Sequence, residues 1–201
     1  ACRSKARVMS GERMTVKEVM TIVDRDNLFY ANSGGGVTFG GGEPLLHTDF
    51  ITAFREVCHP DWRIYAESCL NVPEENVRPA ARVVDHFFID VKDMNPAIYK
   101  AYTGQDNTPV KSNLALLLSL VGAERITVRV PHIPGFNTDA DVQASVEELT
   151  AMGLSFTEDD PDYVLVAFDT TLDYAKMCRV CDLIRWGKPY IATHPDFNCP
   201  T

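Results

Sequence analysis

Short apolar runs alternate along this chain with longer segments whose apolar residues recur every three or four positions. The Thr15-Val16-Lys17-Glu18 spacing of a capping box predicts a helix running to about Asp24. Val37-Thr38-Phe39, between glycines 34–36 and 40–42, predicts a short buried strand. Thr48 is expected to cap a helix through about Cys58, followed by a strand at 63–67 and a helix after Pro73. Strand 86–91, helices from about Pro96 and Val110, strand 125–130 and a helix from Asp139 to near Gly153 come next. A strand at 162–168, a helix to Trp186 and a strand at 190–193 complete the series. Strand and helix alternate at least five times, the pattern of a parallel sheet with helices outside. Periodicity leaves open whether the sheet is a doubly wound layer or a barrel. In both, ligands gather beyond the carboxyl ends of the strands. One break in composition, the acidic turn at 157–161, is a candidate boundary.

Composition narrows the class. The chain has 201 residues, 45% of them hydrophobic and 23% charged, enough for a domain with a real core and too apolar for disorder. The net charge of −9 argues against non-specific nucleic-acid binding and against a polybasic membrane anchor. No run reaches the roughly 18 apolar residues of a membrane span, and no leader peptide is evident. Ala1-Cys2-Arg3 reads like the middle of a protein, and the six cysteines like cytosolic thiols, so a cytoplasmic protein is expected. Cys178 and Cys181 share a helix face without a second pair and are expected to be buried thiols. Trp62 and Trp186 are expected in the core, and the five histidines show no ligand spacing.

The chemistry-bearing residues stand just after the strands. Gly40-Gly41-Gly42-Glu43-Pro44 follows the first strand. Its glycines let backbone approach a ligand closely, and Glu43 adds a carboxylate, an arrangement suited to an ammonium group. By itself such a loop reads more readily as a plain tight turn. Glu67-Ser68 ends the second strand, Asp90-Val91-Lys92 the third, and Arg129 the fourth, ahead of Pro131-His132-Ile133-Pro134-Gly135. Asp90 and Lys92 are two apart and point to one face. Carboxylates, a lysine and an arginine converging on one mouth predict a mixed-charge pocket for a zwitterion such as an amino acid.

These residues carry a resemblance. Gly36-Val37-Thr38-Phe39-Gly40-Gly41-Gly42-Glu43-Pro44-Leu45-Leu46 resembles the glycine-glycine-glutamate motif of radical S-adenosylmethionine (SAM) proteins. Glu67-Ser68-Cys69-Leu70-Asn71-Val72-Pro73 resembles a segment of their branch that activates glycyl-radical enzymes, typified by pyruvate formate-lyase activating enzyme. Asp85 through Lys92 with Met94, Tyr102-Thr103-Gly104, and Arg129 through Asn137 are similar to that branch too. The resemblance implies an α/β fold, an incomplete parallel (β/α) barrel of radical SAM type, and reductive cleavage of SAM to place a radical on a glycine of a partner enzyme. It implies that Gly41, Gly42 and Glu43 hold the methionine ammonium and that Lys92 pairs with the carboxylate. Glu67 and Asp90 would lie nearby, beside a monovalent cation; Arg129 would contact the ribose side, and the backbone at 133–135 would flank the adenine. The implied cofactors are SAM and a [4Fe–4S] cluster; the implied partners are a glycyl-radical enzyme and a flavodoxin or ferredoxin-type electron donor.

The chain departs from that family in two respects. The Cys-x3-Cys-x2-Cys loop that binds its cluster occurs nowhere among Cys2, Cys58, Cys69, Cys178, Cys181 and Cys199. Residues 1–14 instead resemble the tail of a ferredoxin-like insert, which would make Cys2 a metal ligand of an accessory cluster. Residues 15–153 are then a partial barrel, with strands near Val37 and Val128 left at its edges. Residues 154–201 resemble an α/β, Rossmann-like segment of the haloacid-dehalogenase phosphatases, with Thr193 matching the phosphate-holding threonine and the nucleophile motif absent. Alternative readings are a phosphatase fragment of that kind or a non-catalytic SAM-binding module.

Overall fold

The computed structural model describes residues 12–155, 164–166, 174–188 and 190–192. Two compact units divide the chain, 1–154 and 155–201. In the first, helix α1 (Val16–Val23) opens on the expected capping box, with the Thr15 side chain accepting from the Glu18 N–H and the Glu18 carboxylate accepting from the Thr15 N–H. A 3-10 turn (Asp24–Asp26) and helix α2 (Asn27–Ser33) follow, and Gly34 in the left-handed region ends the helix. No helix is expected there from the pattern, because Leu28 and Phe29 face solvent and leave no amphipathic period. Tertiary contacts hold α2 instead: the Trp62 indole donates to Asn27, and the rings of Tyr30 and Trp62 meet edge to face at 5.0 Å.

Four parallel strands lie in the order β1 (Gly36–Phe39), β2 (Arg63–Ser68), β3 (His86–Asp90) and β4 (Ile126–Arg129). The sequence order is also the spatial order, each strand joined to the next through helices: α3 (Thr48–Val57), α4 (Glu74–Val83), then α5 (Pro96–Thr103) with α6 (Thr108–Val121). Helix α7 (Asp139–Ala151) follows β4, again behind a capping box, Thr138 with Asp141. Thr48 is not the cap expected of it. It is the first residue of α3, and its buried hydroxyl donates to the carbonyls of Leu45 and Asn76.

Alternation along the strands separates two faces. Ile64, Ala66, Phe87 and Ile89 enter a core with Phe54 of α3, Val77 of α4, and Leu114 and Leu117 of α6, all essentially inaccessible to solvent. The opposite face carries Tyr65, Glu67, His86, Phe88, Thr127 and Arg129. There Tyr65 stacks on Phe88, His86 meets Thr127 at 2.8 Å, and the Arg129 guanidinium lies over the Phe88 ring. At the amino ends of the strands Asp85 accepts from the Ile64 N–H and from Arg55, while Arg125 donates to the carbonyls of Asp85, Ala81 and Val84.

In the second unit β5 (Val164–Val166) and β6 (Tyr190–Ala192) pair in parallel, and α8 (Tyr174–Arg185) lies between them in sequence. Trp186 is 67% exposed under the Arg179 guanidinium and so is not the core residue expected. Cys178 is half-buried and Cys181 exposed, so the expected burial of both thiols fails: their i, i+3 spacing places them on one stripe, but Leu183 is the residue this helix buries. Cys2, Thr193 and most of the phosphatase-like segment lie outside the described residues.

Two substitutions test this packing. Asn113 of α6 is 3% exposed, and its amide donates to the carbonyls of Leu70 and Val72 at 2.9 and 2.8 Å, across the exit from β2 where Leu70 takes φ 55°. Asn113→Ala leaves both carbonyls buried without a donor and should lower the unfolding free energy by about 2–4 kcal/mol, read as a fall in the urea midpoint. At Gly36 an added Cβ would overlap the Arg63 carbonyl. Gly36→Ala should force β1 away from β2 at a cost of about 2–3 kcal/mol, measured in the same way, with an additional loss of amide protection in β1.

Candidate functional site

The loop leaving β1 has its backbone open to solvent. Gly41 takes φ 102°, a conformation that side-chain-bearing residues rarely adopt, and a Cβ on Gly41 or Gly42 would meet nothing within 4 Å. Backbone groups here can therefore be reached by a ligand. Glu43 does not hang free beside them. Its Oε1 accepts from the Leu45 N–H at 3.1 Å, starting the 3-10 turn Pro44–His47, and its Oε2 accepts from the Cys69 N–H at 2.9 Å and the Cys69 thiol at 3.1 Å. Three of a carboxylate's roughly four lone-pair positions are thus filled, and Glu43 braces the loop against the exit from β2. Burial pushes the Cys69 thiol up, and its hydrogen bond and charge contact with Glu43 push the same way, outweighing backbone hydrogen bonds that pull it down. The thiol accordingly stays protonated at neutral pH and remains a donor.

At the next two strand ends the charges meet. Asp90 and Arg129 are register partners in β3 and β4, and the Val91 N–H donates to the Arg129 carbonyl. The Arg129 Nε donates to Asp90 Oδ1 at 2.6 Å, and its NH1 reaches across β3 to Glu67 Oε1 at 3.2 Å. Lys92 Nζ lies 3.3 Å from the other oxygen of Asp90. Burial works to depress the Arg129 guanidinium, but its hydrogen bond and charge pairing with Asp90, and then with Glu67, prevail and raise it. Two carboxylates and two cations therefore share one mouth, all four partly open to solvent. Glu67 and Asp90 share the guanidinium of Arg129.

Of the sequence-predicted residues, the fold brings Gly41, Gly42, Glu43, Glu67, Asp90, Lys92 and Arg129 to the carboxyl ends of β1 to β4. Cys58 caps the far end of α3, its thiol directed to the Arg55 carbonyl. Among the described residues no group of three or more His, Cys, Asp or Glu side chains is placed to hold a metal ion. Sequence reasoning missed a buried polar cluster behind the mouth: Asp93, Asn107, Asn137 and Ser145, each no more than 5% exposed. Asp93-Met94-Asn95-Pro96 reads as a turn from sequence, which signals the local bend but not the contacts, since Asn137 and Ser145 lie more than forty residues away.

The chain is similar to known proteins. The family model described as "Radical SAM superfamily" matches residues 2–149. The chain is 40% identical over 142 residues to the indoleacetate decarboxylase activating enzyme of Tractidigestivibacter scatoligenes, a match covering 70% of this chain and 44% of that one. It is 37% identical over 153 residues to the isethionate sulfite-lyase activating enzyme of Oleidesulfovibrio alaskensis, covering 75% of this chain and 49% of the relative. The chain thus spans about half the length of the curated relatives it matches. Its fold is similar to the crystal structure of a domain of pyruvate-formate lyase-activating enzyme from Bacteroides vulgatus, with TM-score 0.55 and 21% identity, over 80% of this chain and 99% of that domain. A family match over about three quarters of the residues, ending before the second unit, leads to one conclusion: this chain belongs to the radical SAM superfamily.

Proposed function

We propose that the mouth of the sheet binds SAM as part of an enzyme that activates a glycyl-radical enzyme. The observation that carries this reading is the conjunction of an accessible glycine loop with Lys92, Arg129, Asp90 and Glu67 at neighbouring strand ends. The donor set fits a zwitterion. The carbonyls of the 40–42 loop and the remaining lone pair of Glu43 accept an ammonium, and Lys92 meets a carboxylate by exchanging part of its contact with Asp90. Arg129, held by two carboxylates, presents fixed donor groups toward the ribose side. Phe88 and Tyr65 line the floor beyond it. When bound, the cofactor supplies a sulfonium that one electron can cleave. The described residues do not fit the [4Fe–4S] cluster of this family, because Cys69 donates to Glu43 and Cys58 lies at the far end of α3. Cys2 is kept as a proposed ligand of an accessory cluster. A glycyl-radical enzyme as partner, a flavodoxin or ferredoxin-type donor and a reducing cytoplasmic setting belong to the same reading. It is supported by the names of the relatives and by four free cysteines among the described residues.

Binding can be measured without turnover. Calorimetry should detect specific SAM binding to the chain, and Lys92→Ala should weaken it by about 10- to 100-fold, the worth of one charge-assisted contact of roughly 1.5–3 kcal/mol. Equal affinity in the two proteins would remove Lys92 from the site. Chemistry should follow the cysteines. After anaerobic reconstitution with iron and sulfide and addition of a strong reductant, the 201 residues should form no 5′-deoxyadenosine. The same chain preceded by a segment carrying the Cys-x3-Cys-x2-Cys spacing should form it. Product from the chain as it stands would overturn the reading of its cysteines, and none from the extended protein would count against the activating-enzyme assignment.

A further inference from the structure

Asp93 is a carboxylate that the charges at the mouth do not use. It follows Lys92 directly, is 1% exposed, and among the described residues no ion pair reaches it. Its donors are neutral: the Asn95 N–H at 2.8 Å, the Ser145 hydroxyl at 3.3 Å and the Asn137 amide at 3.2 Å. A buried carboxylate is tolerated only when its lone pairs are largely satisfied, and here three of roughly four are filled, from its own turn, the loop after β4 and α7. Asn137 is the centre of the loop after β4. Its Oδ1 accepts from the Ile133 N–H at 2.5 Å, and its Nδ2 donates to the Pro131 carbonyl at 3.0 Å. The Ile133 N–H and the Pro131 carbonyl fix the orientation with Nδ2 inward, and Asp93 accepts from that same Nδ2. The turn that carries Asp93 is itself fastened, by Met94 N–H to Ser145 and by Asn107 to the carbonyls of Asp93 and Met94.

We infer that Asp93 is a positioning residue: through Asn137 it ties the turn bearing Lys92 to the 131–137 loop, and so sets the spacing between the charged anchor for one end of the ligand and the backbone rim for the other. This rests on the SAM reading, in which Lys92 takes the amino-acid end and the loop the nucleoside end. Lys92 itself is anchored by β3 and Asp90, so loss of the tie moves the loop more than the lysine. The edge of the loop is otherwise held by an exposed pair, Phe136 against Tyr102 at 5.0 Å, which leaves the loop free to shift once its inner hydrogen bonds are disordered.

Asp93→Asn preserves size, and with Oδ1 held by Asn95 and Ser145 it sets a second donor against the Asn137 Nδ2, which breaks the tie. Methylthioadenosine and methionine serve as separate probes of the two ends, titrated by ligand-observed NMR on the whole chain, with SAM followed by calorimetry. Affinity for SAM and methylthioadenosine should fall about tenfold while that for methionine stays within about twofold. Hydrogen exchange at the Ile133 amide should accelerate, while Ala66 in β2 stays protected. Equal losses for the two probes would make Asp93 a general scaffold residue and overturn the inference, as would unchanged exchange at Ile133. Should Asp93→Asn fail to fold, Asn137→Ala must give the same nucleoside-selective loss, and an equal loss for both probes there overturns it. An unsubstituted chain that binds none of the three ligands removes the SAM reading and this inference together, and is recognised because no substitution is involved.

Discussion

The Arg129 guanidinium spans three strands, closing on Asp90 beside it and on Glu67 two strands away. Parallel strands are joined only by slanted backbone hydrogen bonds, which set register but not how the side chains at their ends converge. A planar cation held by two carboxylates supplies that convergence. It brings Glu67, Asp90 and Lys92 into one mouth and lays the guanidinium over Phe88, whose ring in turn packs under Tyr65 and against His86. Exposed ion pairs contribute little to stability. This one is largely shielded, its guanidinium raised above the ordinary value by its partners, so its contribution lies chiefly in geometry.

The two ends of the sheet are built differently for that reason. At the amino ends, Asp85 is occupied by Arg55 and the Ile64 N–H, and Arg125 by three carbonyls, so the polar groups satisfy one another. At the carboxyl ends the glycine loop keeps backbone open, Lys92 keeps donor capacity and Glu43 keeps one lone pair. Among the described residues, α3, α4 and α6 pack on the face that carries Ile64, Ala66, Phe87 and Ile89. The other face, aromatic in the middle and charged at the mouth, leads directly from the site.

Glu43 illustrates how residue identity and residue role come apart. Its place after the glycines suggested a carboxylate waiting for an ammonium. In the structure the same carboxylate caps a 3-10 turn and accepts from both the N–H and the thiol of Cys69. The brace holds the loop open and reduces the carboxylate's own capacity to a single position. Cys69 in turn is a donor kept protonated by burial, not a free thiolate.

What the sequence determined by itself was local or periodic. The capping box at Thr15 is legible because its partners lie three residues apart, and the strands because their apolar residues are contiguous and end in charge. Those two signals suffice to place Gly41, Gly42, Glu43, Glu67, Asp90, Lys92 and Arg129 at strand ends. The linear order β1 to β4 and the partnering of Arg129 with both Glu67 and Asp90 were decided in three dimensions, because a strand's neighbours depend on where its crossover helix packs. Helix α2 needed Trp62, thirty-odd residues on, to hold it, and Thr48 turned from cap to buried donor because Asn76 offered a carbonyl. The cluster around Asp93 was illegible for the same reason. A carboxylate beside a lysine looks like surface charge until residues from α7 and the loop after β4 close over it, and that closure is a property of packing alone.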